Sequence, residues 1–276
     1  MQSAVSPLST SVSPSPIQAE ELEAKLKQLV QAIPAGIDST LDSCREGASG
    51  DVTFTTTLNR QVRAFLRYRK YTETGHDFLD WGCRHAWDSC MVRMVNEHAR
   101  ISGCDVTESM AEAPQKFARL HYTQLGHPWR LPYSDASFDR VICSGVLEHV
   151  PIQSRSLEEL NRVTKVGGLI IITFLPNKYS YTEFMSRAIF NDCYHIRLYS
   201  MKQVKQMLLE HGFEPIEIGY HQVMPSLTSG HRFLKWPWMG NALRSLFKLD
   251  PLVESIWPAR LFSANLYAVA AKLEHM

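Results

Sequence analysis

Several things are scarce in this 276-residue sequence, and each absence excludes a class of protein. None of the six cysteines (Cys44, Cys83, Cys90, Cys104, Cys143 and Cys193) belongs to a C-x-x-C pair. A structural zinc site is therefore not expected, and the thiols read as reduced and mostly buried. No run approaches the roughly 18 uninterrupted apolar residues of a membrane-spanning helix. The N-terminus has no apolar core and its first basic residue is Lys25, so it does not read as a secretion signal; a cytoplasmic location is expected. An excess of one charge is also missing. The 29 Lys+Arg and 28 Asp+Glu leave a net charge of +1, so nucleic acid is not expected as a partner.

What is present changes along the chain. Residues 1–16 are mostly Ser, Pro and small residues, too poor in apolar surface to fold, and read as a disordered tail. Leu22, Leu26, Leu29 and Ile33 then recur at helical spacing. They predict a short amphipathic helix that packs on the main domain or, as the competing reading, meets a partner. A second helix is expected at about 55–71, with Leu58, Val62, Phe65 and Leu66 inward and Arg60, Arg63, Arg67, Arg69 and Lys70 on a solvated face. Residues 17–71 are thus a helical extension ahead of a domain at 72–276.

From residue 77, short apolar runs alternate with helical patterns. Phe78-Leu79, 101–104, 141–143, 169–174, 213–220 and 264–271 predict strands, and helices fall near 86–97, 108–118, 153–165 and 200–211. That alternation predicts an α/β fold, a mostly parallel sheet with helices on both faces. The stretch 221–262 interrupts it with Phe233, Trp236, Trp238, Phe247, Trp257 and several prolines, and reads as an aromatic lid. Trp236-Pro237-Trp238 and the leucines behind it also offer a surface for peripheral membrane contact.

Ligands of such sheets bind beyond the carboxyl ends of the strands, and polar motifs stand there. Asp80-Trp81-Gly82-Cys83 ends the first strand in a carboxylate and a tight turn. Asp105, 25 residues after Asp80, closes the second strand. A carboxylate at about that distance grips ribose hydroxyls, or it caps the helix that follows. Thr107 is the expected cap. The stretch 131–150 supplies a loop, a strand from Asp139 and a polar cluster ending in Glu148-His149, and 161–172 supplies a Gly-Gly turn into the next strand.

These ordered segments resemble the class I S-adenosylmethionine-dependent methyltransferases over roughly residues 77–220 and the last strand. Family members read L-D-x-G-C-G-x-G, G-x-D-x-S, L-P-F-x-D-x-S-F-D, L-E-H-V and R-x-L-K-P-G-G. This sequence has Leu79-Asp80-Trp81-Gly82-Cys83, Gly103-Cys104-Asp105, 131–139, 147–150 and 162–168 in those places. The resemblance implies a Rossmann-like seven-stranded sheet with a reversed last strand, and S-adenosylmethionine as cofactor. It places Asp80, Gly82 and Cys83 by the methionine part of that cofactor. Asp105 falls at the ribose, with Val106 and Met110 near the adenine. His127, Pro128 and Trp129 fall at the adenine amino group, Cys143 and Ser144 on the floor, and His149 at the transferable methyl, where it would act as base.

The chain departs from the pattern at Arg84 and Ala86, where the family has glycines. Arg84 either pairs with the cofactor's carboxylate or fills the site, which would leave an inactive binding or scaffold protein. Ubiquinone-biosynthesis O-methyltransferases, which the 145–150 segment resembles, hold a divalent metal with an additional Glu where this chain has Gly145. No metal is therefore expected. His195 reads equally as substrate-facing or structural. A methyltransferase acting on an oxygen or nitrogen of a small molecule or glycan is the leading expectation. A macromolecular acceptor would need a basic docking face, which only the 60–70 helix offers.

Overall fold

The computed structural model describes residues 17–33, 50–127, 129–189, 195–223 and 249–274. The Ser/Pro tail, Cys44, Cys193, Pro128 and most of the aromatic lid (Phe233, Trp236, Trp238 and Phe247 among it) lie outside the described residues.

Two helices come first, α1 (Ala19–Gln31) and α2 (Gly50–Tyr68). The sheet and its helices follow as β1 (Asp77–Trp81), α3 (Trp87–Val95), β2 (Arg100–Asp105), α4 (Glu112–Ala118) and β3 (Leu120–Gln124). Next are β4 (Phe138–Ser144), α5 (Gln153–Val163), β5 (Thr164–Pro176), α6 (Tyr181–Ile189) and α7 (Met201–Glu210). The chain closes with β6 (Phe213–His221), α8 (Asp250–Ser255) and β7 (Asn265–Lys272). The strand order is β3-β2-β1-β4-β5-β7-β6. Strands β1 to β5 pair in parallel, while β7 runs antiparallel to both β5 and β6. The reversed last strand therefore sits inside the sheet, with β6 at the edge.

Alternation along each strand feeds two cores. Phe78, Ile142, Ile171 and Val269 enter the layer formed with α1 to α4. Leu79, Val141, Ile170, Ile172 and Ala268 enter the opposite layer, with Leu157, Leu160, Val204 and Leu208 of α5 and α7. With both faces covered, the strands can be apolar throughout, as the sequence indicates. The α1 helix packs on the domain, burying Leu22, Leu26, Leu29, Val30 and Ile33. One strand escaped the sequence pattern. β3 lies at the open edge and reads Leu-His-Tyr-Thr-Gln, with little apolar alternation to reveal it.

At the amino ends of the strands a single carboxylate ties three elements. Asp139 accepts from the backbone amides of His76 and Asp77 at 2.9 Å and from Lys165 Nζ at 2.8 Å. Burial opposes its ionisation, but the Lys165 hydrogen bond and the two amides outweigh it and hold the carboxyl at about 2, against an ordinary 3.8. A depressed folded-state value stabilises above the unfolded value and is lost as pH falls through the folded one. Asp139→Asn is therefore expected to cost about 1–2 kcal/mol at pH 7 and clearly less at pH 3. Urea titrations at both values measure this, and an equal penalty at the two would exclude the charge as its source.

Candidate active site

The first loop leaves β1 at Asp80-Trp81 and follows a left-handed path. Gly82 has φ +72°, Arg84 +33° and Ala86 +54°. These are the three places where the resemblance calls for glycine. Two are filled by residues for which such a conformation costs roughly 1–2 kcal/mol each. The departure changes the side chains and leaves a glycine-type backbone route. The route is pinned by Gly82 N–H and Cys83 N–H donating to the Cys104 carbonyl at 2.7 and 3.3 Å, and by Ala86 N–H donating to the Cys83 carbonyl at 2.5 Å. Gly82 itself is required for space, because a Cβ there would overlap the Val146 side chain.

Asp105 faces this loop from the end of β2. Its Oδ2 accepts from the Arg84 amide at 3.1 Å and its Oδ1 from the Thr107 amide at 3.2 Å. The expected Thr107 cap is corrected: α4 begins only at Glu112, behind Ala111. Arg84 and Val106 are exposed above the loop, and Met110 is half-buried against the first core. His127 and the half-buried Trp129 meet edge to face after β3, ring centroids 4.3 Å apart. Cys83 and Cys143 present no open thiol. The Cys83 Sγ fills the space beside Gly103, where a Cβ would stand 2.9 Å from it, and Cys143 is sealed in the second core. Burial pushes both thiols up. Ser144 Oγ accepts from Thr173 Oγ1 at 2.9 Å and from Gln61 Nε2 at 3.3 Å.

That last contact exposes what the sequence reading missed: α2 roofs the cleft. Gln61 also donates to Asp88 Oδ2 at 2.7 Å, Tyr68 donates its hydroxyl to Asp88, and Ser89 donates to Asp80 at 2.5 Å. Burial raises both carboxyls, and Asp88 raises Asp80 further. The solvated basic face is overturned. Arg60 is buried with its guanidinium 4.6 Å from the Phe174 ring centroid. Arg63 pairs with Asp250 and Glu254, and Arg67 with Glu254. Arg69 pairs with Glu73 at 2.8 Å and the exposed Lys70 with Glu217 at 2.9 Å. The partners of Arg63 and Arg67 stand 187 residues on. The matching four-residue spacing of Arg63/Arg67 and Asp250/Glu254 was the one available signal.

The acceptor end lies past β4. The turn is set by Gly145 at φ +67° and by the His149 amide donating to the Val146 carbonyl at 2.9 Å. It buries the Glu148 carboxylate, with Oε1 3.6 Å from Nε2 of the exposed His149. Burial pushes Glu148 up to about 7, against the opposing effects of a backbone hydrogen bond, His195 and Arg60. Burial, then His195 and Arg197, lower His149. His195 Nδ1 lies 2.6 Å from Glu183 Oε1, and its ring centroid is 5.8 Å from that of His149. Arg197 donates to the carbonyls of Glu148, Val150 and Pro151, fastening this segment to the turn. The incomplete ligand set inferred from Gly145 is corrected in the fold: Glu148, His149 and His195 each bring one donor atom within 4.8 Å of the others.

The loop geometry gives two substitutions of different effect. Gly82→Ala is expected to cost about 3 kcal/mol, from positive φ and the Val146 overlap together. Arg84→Gly should shift stability by less than about 1 kcal/mol, since relief of backbone strain is offset by a freer unfolded chain. Thermal melts of the two variants test this, and equal losses would contradict the assigned backbone path.

Known proteins fit this geometry. The sequence profile of the methyltransferase domain family matches residues 79–172. A demethylmenaquinone methyltransferase from Staphylococcus haemolyticus is 33% identical over 105 residues, 37% of this chain and 44% of that protein. The chain thus matches less than half the length of that relative. Among solved structures, an S-adenosylmethionine-dependent methyltransferase from Methanosarcina mazei superposes with a TM-score of 0.53 at 14% identity, covering 76% of this chain and 98% of its own. The 4+2 cyclase SpnF superposes at 0.51 with 18% identity, covering 79% and 83%, so the fold is shared with a protein named for a different reaction. The central domain of this chain, residues 79–172, belongs to the class I S-adenosylmethionine-dependent methyltransferase family.

Proposed function

We propose that this protein transfers a methyl group from S-adenosylmethionine to an oxygen, or a nitrogen, of a small-molecule acceptor. The observation that carries the reading is the glycine-type backbone path of Gly82, Arg84 and Ala86 with the Asp105 carboxylate beside it. Both stand at the carboxyl ends of β1 and β2. There the sheet order turns from β2 on one side of β1 to β4 on the other, the usual ligand crevice of such sheets. In this reading Asp105 accepts from the ribose hydroxyls and the exposed Arg84 guanidinium pairs with the cofactor's carboxylate. Val106, Met110, His127 and Trp129 border the adenine, with Pro128 between the last two. The retained backbone path favours a working cofactor site over a silent scaffold.

The sulfonium is already an activated methyl donor, so the chain's task is to hold both reactants in line and exclude water. The helical extension contributes to that, with Arg60 and Gln61 of α2 over the cleft. His149 takes the acceptor's proton at Nε2 as the methyl passes from sulfur to the acceptor atom, leaving S-adenosylhomocysteine. Because relatives are named for demethylmenaquinone, aromatic acceptors of the quinone and phenol class come first in a screen, sugars second. Among the described residues no helix is long and apolar enough to cross a membrane.

Calorimetric titration with S-adenosylmethionine and S-adenosylhomocysteine tests the proposal. Micromolar binding is expected, with Asp105→Ala weakening it about 10- to 100-fold and Arg84→Ala about tenfold, as loss of charge-assisted hydrogen bonds requires. No heat with either ligand from a folded protein would sink the reading.

A further inference from the structure

We propose that Glu148, His149 and His195 form a site for one divalent transition-metal ion of the zinc class, at the acceptor end of the cleft. The site's use in methyl transfer rests on the function proposed above; ion binding itself does not.

The donor chemistry comes first. Two imidazoles and one carboxylate suit Zn²⁺, Co²⁺ or Fe²⁺, whereas Mg²⁺ and Ca²⁺ prefer oxygen alone. Three protein ligands also leave a position open for water or substrate, as catalytic sites do. The geometry is nearly closed. His149 Nε2 and Glu148 Oε1 are 3.6 Å apart, and two ligands on tetrahedral bonds of about 2.1 Å stand roughly 3.4 Å apart. All three donor atoms lie within 4.8 Å of one another, and the exposed His149 ring has room to turn inward.

Two further features point to an ion. Glu148 is 5% exposed, yet its Oε2 has no hydrogen-bond partner. A buried carboxylate oxygen in that condition calls for a cation or a water. Behind the cluster, Glu183 Oε1 stands 2.6 Å from His195 Nδ1. With Nδ1–H donating to that carboxylate, the ring's lone pair is at Nε2, the tautomer a metal takes, and the pair matches the carboxylate–histidine arrangement that supports metal ligands. The cluster joins residues 46 positions apart, and Arg197 braces both segments through the Glu148 carbonyl.

With the ion in place His149 is a ligand, and the proton leaves by another route. The ion takes the acceptor's hydroxyl oxygen as a further ligand and lowers its pKa, and the O–H proton passes to bulk water. The methyl then moves from the sulfonium to that oxygen, and the sulfur is left as a neutral thioether. Without the ion, His149 itself accepts the proton.

The test strips the purified full chain with chelator, then titrates it with Co²⁺ by visible absorption and Zn²⁺ by calorimetry. One ion per chain is expected, at micromolar affinity or tighter. His149→Gln and His195→Gln should each weaken binding at least tenfold, and Glu183→Gln about tenfold through loss of orientation. Because His149 is exposed, its variant should melt like the parent, separating loss of a ligand from loss of fold. Binding of less than one ion, or binding that survives both His149→Gln and His195→Gln, overturns the site and leaves the cluster a proton relay. Titration of the stripped protein with S-adenosylhomocysteine keeps the two readings apart: failure there, with the ion still bound, rejects the cofactor reading and spares this one.

Discussion

Phe78 and Leu79 are neighbours in β1 and enter opposite cores, and the same division repeats at Ile142 and Cys143 and along 169–172. Burial on both faces leaves the strands little room for polar groups. Polar chemistry is pushed to the strand ends. At the amino ends Asp77, Asp139 and Lys165 form an ionic tie. At the carboxyl ends stand Asp80, Asp105, Ser144 and the Glu148 turn. The position of the candidate site follows from this constraint before any one of its residues is considered.

The second determinant is the roof. Tyr68, Leu58, Val62 and Phe65 anchor α2 in the first core, while Gln61 and Arg60 reach over the ends of β4 and β5. The helix is held from the other side by Asp250, which is fully buried, and by Glu254. These two carboxylates also accept from the backbone amides of Val223 and Gln222. Breaking a buried pair of this kind strands a charge, a loss of about 3–5 kcal/mol. The interaction therefore does more to specify where α2 lies than to add net stability. It joins the helical extension, the end of β6 and α8 into one wall of the cleft.

The first loop shows how far side chains can drift while a backbone route is kept. Arg84 and Ala86 hold φ values that glycine adopts without strain. Their conformation is imposed by the hydrogen bonds to Cys104 and Asp105 on one side and by the start of α3 on the other. Strain retained at a strand end, beside a carboxylate and an exposed cation, is where a ligand-binding backbone is expected to carry it.

The sequence by itself determined the α/β class, six of the seven strands and the principal helices, because alternation and helical spacing are local properties of the chain. It also determined the loop positions of Gly82, Asp105 and Glu148-His149, since each follows an apolar run within a few residues. The edge strand β3 was not legible, for want of apolar alternation. Only the tertiary structure decided that β7 inserts between β5 and β6, that the basic stripe of α2 is paired and not solvated, and that His195 joins Glu148 and His149 with Glu183 behind it. Each of these depends on groups brought together from distant parts of the chain. A charge or an imidazole carries no mark in sequence of the partner it will meet, whereas the period of a helix or strand is written in its own residues.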